Sequence, residues 1–290
     1  MKFEELIYER LSSDEALTAK LAKYGSYPAI FTPEAPDDEQ DAWERKSRYP
    51  MIEYTYDTQA NEERASSGTL SLFLKSLNTS EVEPQEIERL IKQCLRDVVL
   101  QPEDDSPYCL TWAQTDAFTM QDKEDQLILG ADIRFDMIEM PPQQTTDPDP
   151  VDALNYFVKA VCPECIVIGY DRLEEITEPS KDRPVVFCRL DNTSKAEETF
   201  TVAWMDCRIA VHFLCPDASM RLKWTMQVAN KLSIDGEVEM LDRSPMRITR
   251  LQVNHKADYL RQGQLMVSTH YGLLKYRADG KGVKGVQINY

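Results

Sequence analysis

The chain lacks the features that mark membrane, secreted and low-complexity proteins. No apolar run in its 290 residues approaches the ~18–20 residues that span a bilayer. The start, Met1-Lys2-Phe3-Glu4-Glu5, carries acids where a signal peptide needs a basic start and an apolar stretch. Glycine occurs only 10 times, which argues against a fibrous or low-complexity chain. We therefore expect a globular protein, made and kept in a cytoplasm-like compartment, with no membrane partner.

Motifs for common enzyme chemistry are also missing. There is no GxSxG elbow for a hydrolase nucleophile, and no GxxxxGK[ST] or GxGxxG loop to hold phosphates. Two of the three histidines, His212 and His270, lie in predicted strands, where a structural role is the commoner one; the third is His255. The acidic runs at 37–39 and 104–105 fall in polar loops and are typical of solvated surface. The sequence thus predicts no catalytic and no cofactor-binding residues.

Seven cysteines are present, and their odd number argues against a disulfide scaffold. Cys162-Pro163-Glu164-Cys165 is the one CxxC pair, a spacing found in zinc and redox sites. Zinc needs about four ligands, and only Cys215 with His212 comes near a second pair. The motif also follows a predicted helix, whereas a thioredoxin-like pair sits at a strand-to-helix turn. Cys162 and Cys165 remain the metal or redox candidates, with buried thiols as the alternative.

Charge is distributed unevenly along the chain. Residues 1–147 hold 14 Lys+Arg and 31 Asp+Glu, so the whole net charge of −17 lies there. Residues 148–290 hold 19 of each and are neutral. Direct phosphate binding by the first part is unfavourable, because affinity for DNA comes mainly from Lys and Arg. Residues 243–284 are relatively basic and could contact the acidic part of a neighbouring subunit or DNA, or could be ordinary surface lysines and arginines.

Apolar periodicity predicts an α+β fold. Helices are expected at 3–11, from Ser13 or Asp14 to about 22, and at 84–98. Strands are expected at 50–56, 69–74, 108–112 and 126–140, giving a mostly antiparallel sheet packed against helices. Residues 141–150 hold four prolines and no aliphatic side chain, which is typical of a linker. We therefore predict domains at 1–141 and 151–290, joined by a linker at 142–150.

The order of elements repeats after the linker. A helix is expected at 151–161, strands at 184–191 and 208–214, a helix at 221–232, and a strand at 264–271. Residues 184–191 match 50–57 in having a proline, an apolar strand and an aspartate seven residues after the proline. Residues 264–271 match 126–133, which aligns Tyr271 with Ile133. The pattern predicts two tandem copies of one small domain, the second diverged.

This order resembles the tail terminator, or tail completion, proteins of tailed bacteriophages. The resemblance is carried by residues 3–21, Tyr27-Pro28-Ala29-Ile30, Tyr49-Pro50-Met51-Ile52-Glu53-Tyr54, 70–77 and 86–98, and more distantly by the second half. The family implies a structural virion protein in viral tail assembly. Such a protein forms an oligomeric ring that caps the tail tube and joins tail to head, with no catalytic residues.

The resemblance implies several partners. They are other copies of the chain in a hexamer, with a trimer of doubled chains as the alternative, the tail tube protein and head–tail connector proteins. An acidic lumen would let DNA pass without specific binding. The expected location is the virion tail, and the host cytoplasm during assembly. The alternatives are a protein-binding adaptor unrelated to phage and a thiol or zinc enzyme using Cys162 and Cys165.

Overall fold

A computed structural model describes residues 1–36, 43, 48–58, 68–103, 105–122, 125–143 and 146–275. Five helices lie in these ranges: α1 (Phe3–Ser12), α2 (Glu15–Thr18), α3 (Pro84–Leu95), α4 (Pro150–Val161) and α5 (Ala218–Asp235). Asp14 caps α2 through the amide of Leu17, and Asp149 caps α4 through the amides of Val151 and Asp152. The helices that the apolar periodicity predicts are therefore present.

The strands divide into two groups, one before and one after the predicted linker at residues 142–150. Those of the first half, residues 1–141, are β1 (Lys23–Tyr24), β2 (Tyr27–Pro28), β3 (Ile30–Phe31), β4 (Met51–Thr58), β5 (Gly68–Leu77), β6 (Val99–Leu100), β7 (Tyr108–Gln121) and β8 (Leu127–Glu139). Those after residue 142, the second half, are β9 (Ile166–Val167), β10 (Ile176–Thr177), β11 (Val185–Glu198), β12 (Val202–Leu214), β13 (Glu237–Glu239), β14 (Pro245–Val253) and β15 (Leu265–Leu274).

These strands form two large, mainly antiparallel sheets and one small hairpin. The first sheet has the order β10-β6-β7-β8-β5-β4-β3, and the second has the order β13-β14-β15-β12-β11-β9. Only β3 with β4, and β9 with β11, pair in parallel. β1 pairs with β2 separately. The predicted α+β class with antiparallel sheets is confirmed.

The two sheets have the same connectivity. If β10 is set aside, β6-β7-β8-β5-β4-β3 and β13-β14-β15-β12-β11-β9 match strand for strand in chain order and in direction. A helix precedes each sheet, and another follows the hairpin of each: α1 and α3 in the first half, α4 and α5 in the second. Common ancestry of the halves stays a prediction, which this agreement supports.

Strand register refines the match between halves. The sequence match of residues 50–57 with 184–191 sets Ile52 against Val186. Ile52 pairs with Leu74 in the first sheet and Val186 pairs with Phe213 in the second, so on this match Leu74 corresponds to Phe213. In the last strand, Ile133 lies opposite Leu72, and Leu265 lies opposite Val211. Register therefore equates Ile133 with Leu265, so the alignment of Ile133 with Tyr271 was wrong. The two alignments differ by six residues, an even number, so each side chain stays on the same face of the sheet. The apolar pattern therefore could not distinguish them.

Each sheet buries one face under its helices, and a third core lies between the halves. The first core packs α1 and α3 against β4, β5 and β8, and the second packs α4 and α5 against β11, β12 and β15. The third is formed by Val99, Cys109, Ile138 and Met140 of the first half with Ile166, Ile168, Val185, Phe187, Leu214 and Leu260 of the second. The halves therefore share a continuous apolar contact.

Some boundaries differ from the expected ones. The strand expected at 108–112 continues to Gln121, because a long hairpin with β8 carries it beyond the apolar segment. Helix α3 ends at Leu95 rather than Val98, and Asp97 takes a left-handed conformation with φ 59°. β10 was not expected, and it adds a strand from the second half to the edge of the first sheet.

Several predicted features lie outside the described residues. They are the acidic run at 37–39, Asp104, residues 59–67 between the strands expected at 50–56 and 69–74, Gln144 and Thr145 of the predicted linker, and the basic residues Arg277, Lys281 and Lys284.

Candidate functional surfaces

The CxxC pair lies where α4 meets β9, as the sequence predicts. Both thiols are free and fully buried, and both belong to the second core. Cys162 ends α4, with its amide donating to the Val158 carbonyl, and the Cys165 amide donates to the Cys162 carbonyl at 3.1 Å. A thiol–thiol hydrogen bond and burial raise the pKa of Cys165, and accepting that bond lowers the pKa of Cys162.

No third ligand approaches these thiols among the residues that the structure describes, where no group of three metal-binding side chains occurs. The ammonium of Lys159 donates to the Cys165 carbonyl at 2.7 Å and to Asp171 at 2.8 Å. The pair therefore forms part of the packing between α4 and β9, in an arrangement that leaves no thiol at the surface.

The predicted strand histidines occupy different environments. His212 is 1% exposed, and its Nδ1 lies 2.9 Å from the Tyr259 carbonyl oxygen. Burial lowers its pKa to about 4. His270 stacks on Trp204 at 5.1 Å between ring centroids, and its Nδ1 lies 2.8 Å from Asp206. His212 does not join the Cys215 thiol in a ligand cluster within the described ranges.

Polar contacts surround the apolar core between the halves. The Tyr259 hydroxyl donates to Asp97 at 2.6 Å, and Asp97 is 3% exposed. Arg261 of the same loop forms an ion pair with Asp136. Burial and the Asp97 carboxylate raise the pKa of Tyr259. These bonds link residues far apart in sequence, and no sequence signal identified them.

A short segment after β9 binds along the edge of the first sheet. β10 pairs with β6, Ile176 opposite Leu100, and the Gln101 amide donates to the Glu175 carbonyl at 2.8 Å. The amino terminus of Met1 lies 3.1 Å from Glu175. The β6–β7 hairpin of the first half thus contacts the second half's segment after β9 through backbone hydrogen bonds.

The corresponding segment of the first half borders an open groove. The groove encloses about 790 Å³ between α1 and the end of β3. Its lining combines acids with aromatic and aliphatic side chains: Met1, Glu4, Glu5, Tyr8, Glu9, Ser12, Ile30, Phe31, Thr32 and Tyr54. Glu5 and Glu9 are exposed at the rim, and the buried Tyr54 donates its hydroxyl to the Glu4 carbonyl at 2.8 Å. We call this the α1–β3 groove.

The turn between β13 and β14 presents an apolar side chain beside charged ones. Leu241 is 57% exposed, and the exposed charged side chains around it are of both signs: Arg243 in the turn and Arg247 on β14, with Glu239 on β13 and Asp242 in the turn. The Arg243 amide donates a hydrogen bond to the Met240 carbonyl at 2.8 Å, which closes the turn. The Asp242 carboxylate accepts a second hydrogen bond from the Ser244 amide at 3.0 Å. Part of the predicted basic segment therefore lies on one defined turn, which we call the β13–β14 turn.

Sequence reasoning missed the groove, although its signal was present. On α1 the acids Glu4, Glu5 and Glu9 accompany Tyr8 and lie off the buried apolar stripe. The sequence alone assigns these acids no role, because nothing in it places β3 beside α1.

Comparison with known proteins gives no family assignment. No protein-family model matches the chain, and no curated protein matches it either. In the described part of the chain, no helix is long and apolar enough to cross a membrane.

Proposed function

We propose that the chain is a structural assembly protein that forms a closed ring, in the role of a phage tail terminator or completion protein. The observation that carries the proposal is the matching connectivity of two halves that meet head to tail. Within the chain, the β6–β8 side of the first half meets the β9–β12 side of the second half. A heterologous contact of this kind leaves one complementary surface at each end.

Ring closure follows if a similar contact forms between chains. Each chain then supplies two similar units, so three chains give a pseudo-six-fold ring and six chains give a larger one. The excess acid of the first half would disfavour DNA adhesion if it lines the lumen. The tail tube and the head–tail connector proteins are the partners proposed for the two faces of the ring.

The test is the native mass of the purified chain, measured by light scattering over a range of concentrations, followed by negative-stain imaging. The proposal predicts a discrete ring of three or six chains with a central hole. A chain that stays monomeric at every concentration and on isolated tail tubes contradicts it, and favours the adaptor alternative.

A further inference from the structure

Strand β7 has a long outer edge that pairs with no described strand. β6 covers only its first two residues, and nothing described pairs on that side of residues 111–121. A bulge between Trp112 and Gln114 interrupts the strand, so the regular open edge comprises residues 114–121. The backbone N–H and C=O groups that this stretch directs away from β8 are free to pair with a further strand.

The open edge of β7 lacks the features that usually protect an edge strand. Such strands are blunted by charges, lysine above all, by proline, or by being short. Residues 114–121 hold one charge, Asp116, and no lysine, arginine or proline. The other open stretch of this length, residues 191–198 of β11, holds four charged residues and a bulge, and the open parts of β4 and β14 are shorter. Among the described strands, the edge of β7 is therefore the one best suited to accept a partner strand.

The segment after β15 has the sequence of such a partner strand. Residues 276–290 lie outside the described residues. They contain glycines at 280, 282 and 285, and then Val286-Gln287-Ile288-Asn289-Tyr290, in which apolar and polar residues alternate. Strict alternation of this kind predicts a strand with one apolar face. An extended segment that follows a glycine-rich stretch can add to the edge of a sheet.

The side chains of β7 suit this alternation. Phe118 and Met120 lie on one face of the strand, because alternate residues share a face, and Met120 is 42% exposed. An added strand would place its apolar row, Val286, Ile288 and Tyr290, beside this pair. Its polar residues would lie beside the threonines on the other face of β7.

The charges of the two segments are opposite. The β7–β8 hairpin, residues 108–139, holds seven acidic and two basic residues. Residues 276–290 hold three basic residues, Arg277, Lys281 and Lys284, and one acid. Opposite net charges favour the encounter of the two segments.

The starting point of the segment favours a second copy as the acceptor. Leu274, near the end of β15, lies opposite Val202 at the start of β12. Leu214, at the other end of β12, contacts the first half in the third core. The twelve residues between these ends of β12 correspond to about 40 Å. The segment therefore starts at the end of the second sheet that lies away from the first half of its own chain.

We propose that residues 286–290 of one chain add as a strand to the open edge of β7, residues 114–121, in a second copy. The inference rests on the proposed ring and identifies its subunit contact. Because the second half of each chain reaches the first half of the next, the contact is head to tail, as a closed ring requires.

The first test compares self-association constants from sedimentation velocity. Ile288→Asp should weaken association about tenfold, because it places a carboxylate in the apolar row. Its matched control is Gln287→Asp, which makes the same change of charge on the polar face and should have a much smaller effect. Equal effects of the two variants would contradict the predicted orientation of the strand.

The acceptor edge is tested in the same way. Thr119→Lys should weaken association about fivefold, because an edge lysine disfavours strand addition and repels the basic segment. Gln252→Lys is the control, since Gln252 is exposed on β14, the counterpart of β7 in the second sheet. Both substituted side chains are exposed, so circular dichroism and the thermal midpoint should match the wild type.

A synthetic peptide of residues 281–290 tests whether the contact is a paired strand. The peptide should compete with self-association of the full chain. A strand directs alternate amides to each of its edges, so N-methylation at Val286 and Ile288 and N-methylation at Gln287 and Asn289 should differ in effect. One peptide should lose competition and the other should keep it. Equal effects would exclude strand addition.

Disulfide trapping distinguishes a second copy from the same chain. The native thiols are all buried, so introduced surface cysteines should be the ones that react. A mixture of Thr119→Cys and Gln287→Cys chains should give a covalent dimer on oxidation. If a chain carrying both substitutions forms only an internal disulfide at every concentration, the segment pairs within its own chain and the proposed contact is wrong.

The outcomes separate the two proposals. A wild-type ring that the β7 and segment variants leave intact overturns this contact and leaves the proposed function standing. A wild type that is monomeric under all conditions, tail tubes included, overturns both.

Discussion

Every cysteine in the chain is buried. All seven thiols are free. Desolvation raises the pKa of Cys94 to about 11 and that of Cys188 to about 12. Since the thiolate is the reactive form, we expect the native protein to react slowly with Ellman's reagent. Seven equivalents should be released once it is unfolded in denaturant.

A fast-reacting thiol in the folded protein would contradict this expectation. Cys162 is the position to check, because its bond with Cys165 lowers its pKa. Comparing Cys162→Ser with Cys94→Ser identifies the reacting group. A fast phase lost only in Cys162→Ser would favour the thiol enzyme alternative.

His212 should make stability depend on pH. Its pKa falls to about 4 in the folded chain from an ordinary value of 6.5, mainly because burial disfavours the imidazolium. Below pH 6.5 the unfolded chain takes up this proton and the folded chain does not, so stability falls as pH drops from about 6.5 to about 4. The loss should be on the order of 3 kcal/mol and level off at lower pH.

Urea unfolding at several pH values measures this dependence. His212→Asn keeps a donor for the Tyr259 carbonyl and removes the titrating ring, so its stability should change less between pH 6.5 and 4. His255→Asn is the control, because His255 is exposed and should leave the profile as in the wild type. Identical profiles for wild type and His212→Asn would exclude His212 as the cause.

At the scale of elements, the β7–β8 hairpin depends on a glycine covered by an aromatic ring. Phe118 lies opposite Gly130, and a Cβ atom at Gly130 would sit 2.1 Å from the Phe118 ring. Gly130→Ala should therefore lower the free energy of unfolding by about 1–3 kcal/mol, because the ring must move off the strand. In the chain that also carries Phe118→Ala, Gly130→Ala should cost much less. Equal costs in both backgrounds would contradict the steric explanation.

Elements with strong periodicity could be predicted from the sequence. α1, β4, β5 and the helix after residue 149 each bury the side chains that the spacing selects. In β8 the predicted alternation holds from Ala131 to Met137 but is wrong at the start of the strand, where Leu127 is 41% exposed and Ile128 is buried. Features that depend on distant partners could not be predicted. The extension of β7 to Gln121 comes from its pairing with β8, and β10 exists only because the second half lies against β6.

The candidate surfaces were accessible to sequence reasoning only in part. The uneven charge and the basic segment were visible as composition, and Arg243 and Arg247 belong to that segment. The groove required knowing that β3 packs beside α1, which two apolar residues in a loop do not reveal. Leu241 stands in a short turn, where periodicity carries no information about exposure.

At the scale of the whole molecule, the contact between the halves should contribute directly to stability. Tyr259→Phe removes the hydroxyl that donates to the buried Asp97 carboxylate at 2.6 Å. A buried acceptor left without this donor costs about 1–3 kcal/mol. Tyr156→Phe is the control, since Tyr156 is 52% exposed and its change should be near zero. Equal unfolding midpoints for the two variants would show that the bond adds nothing to the contact.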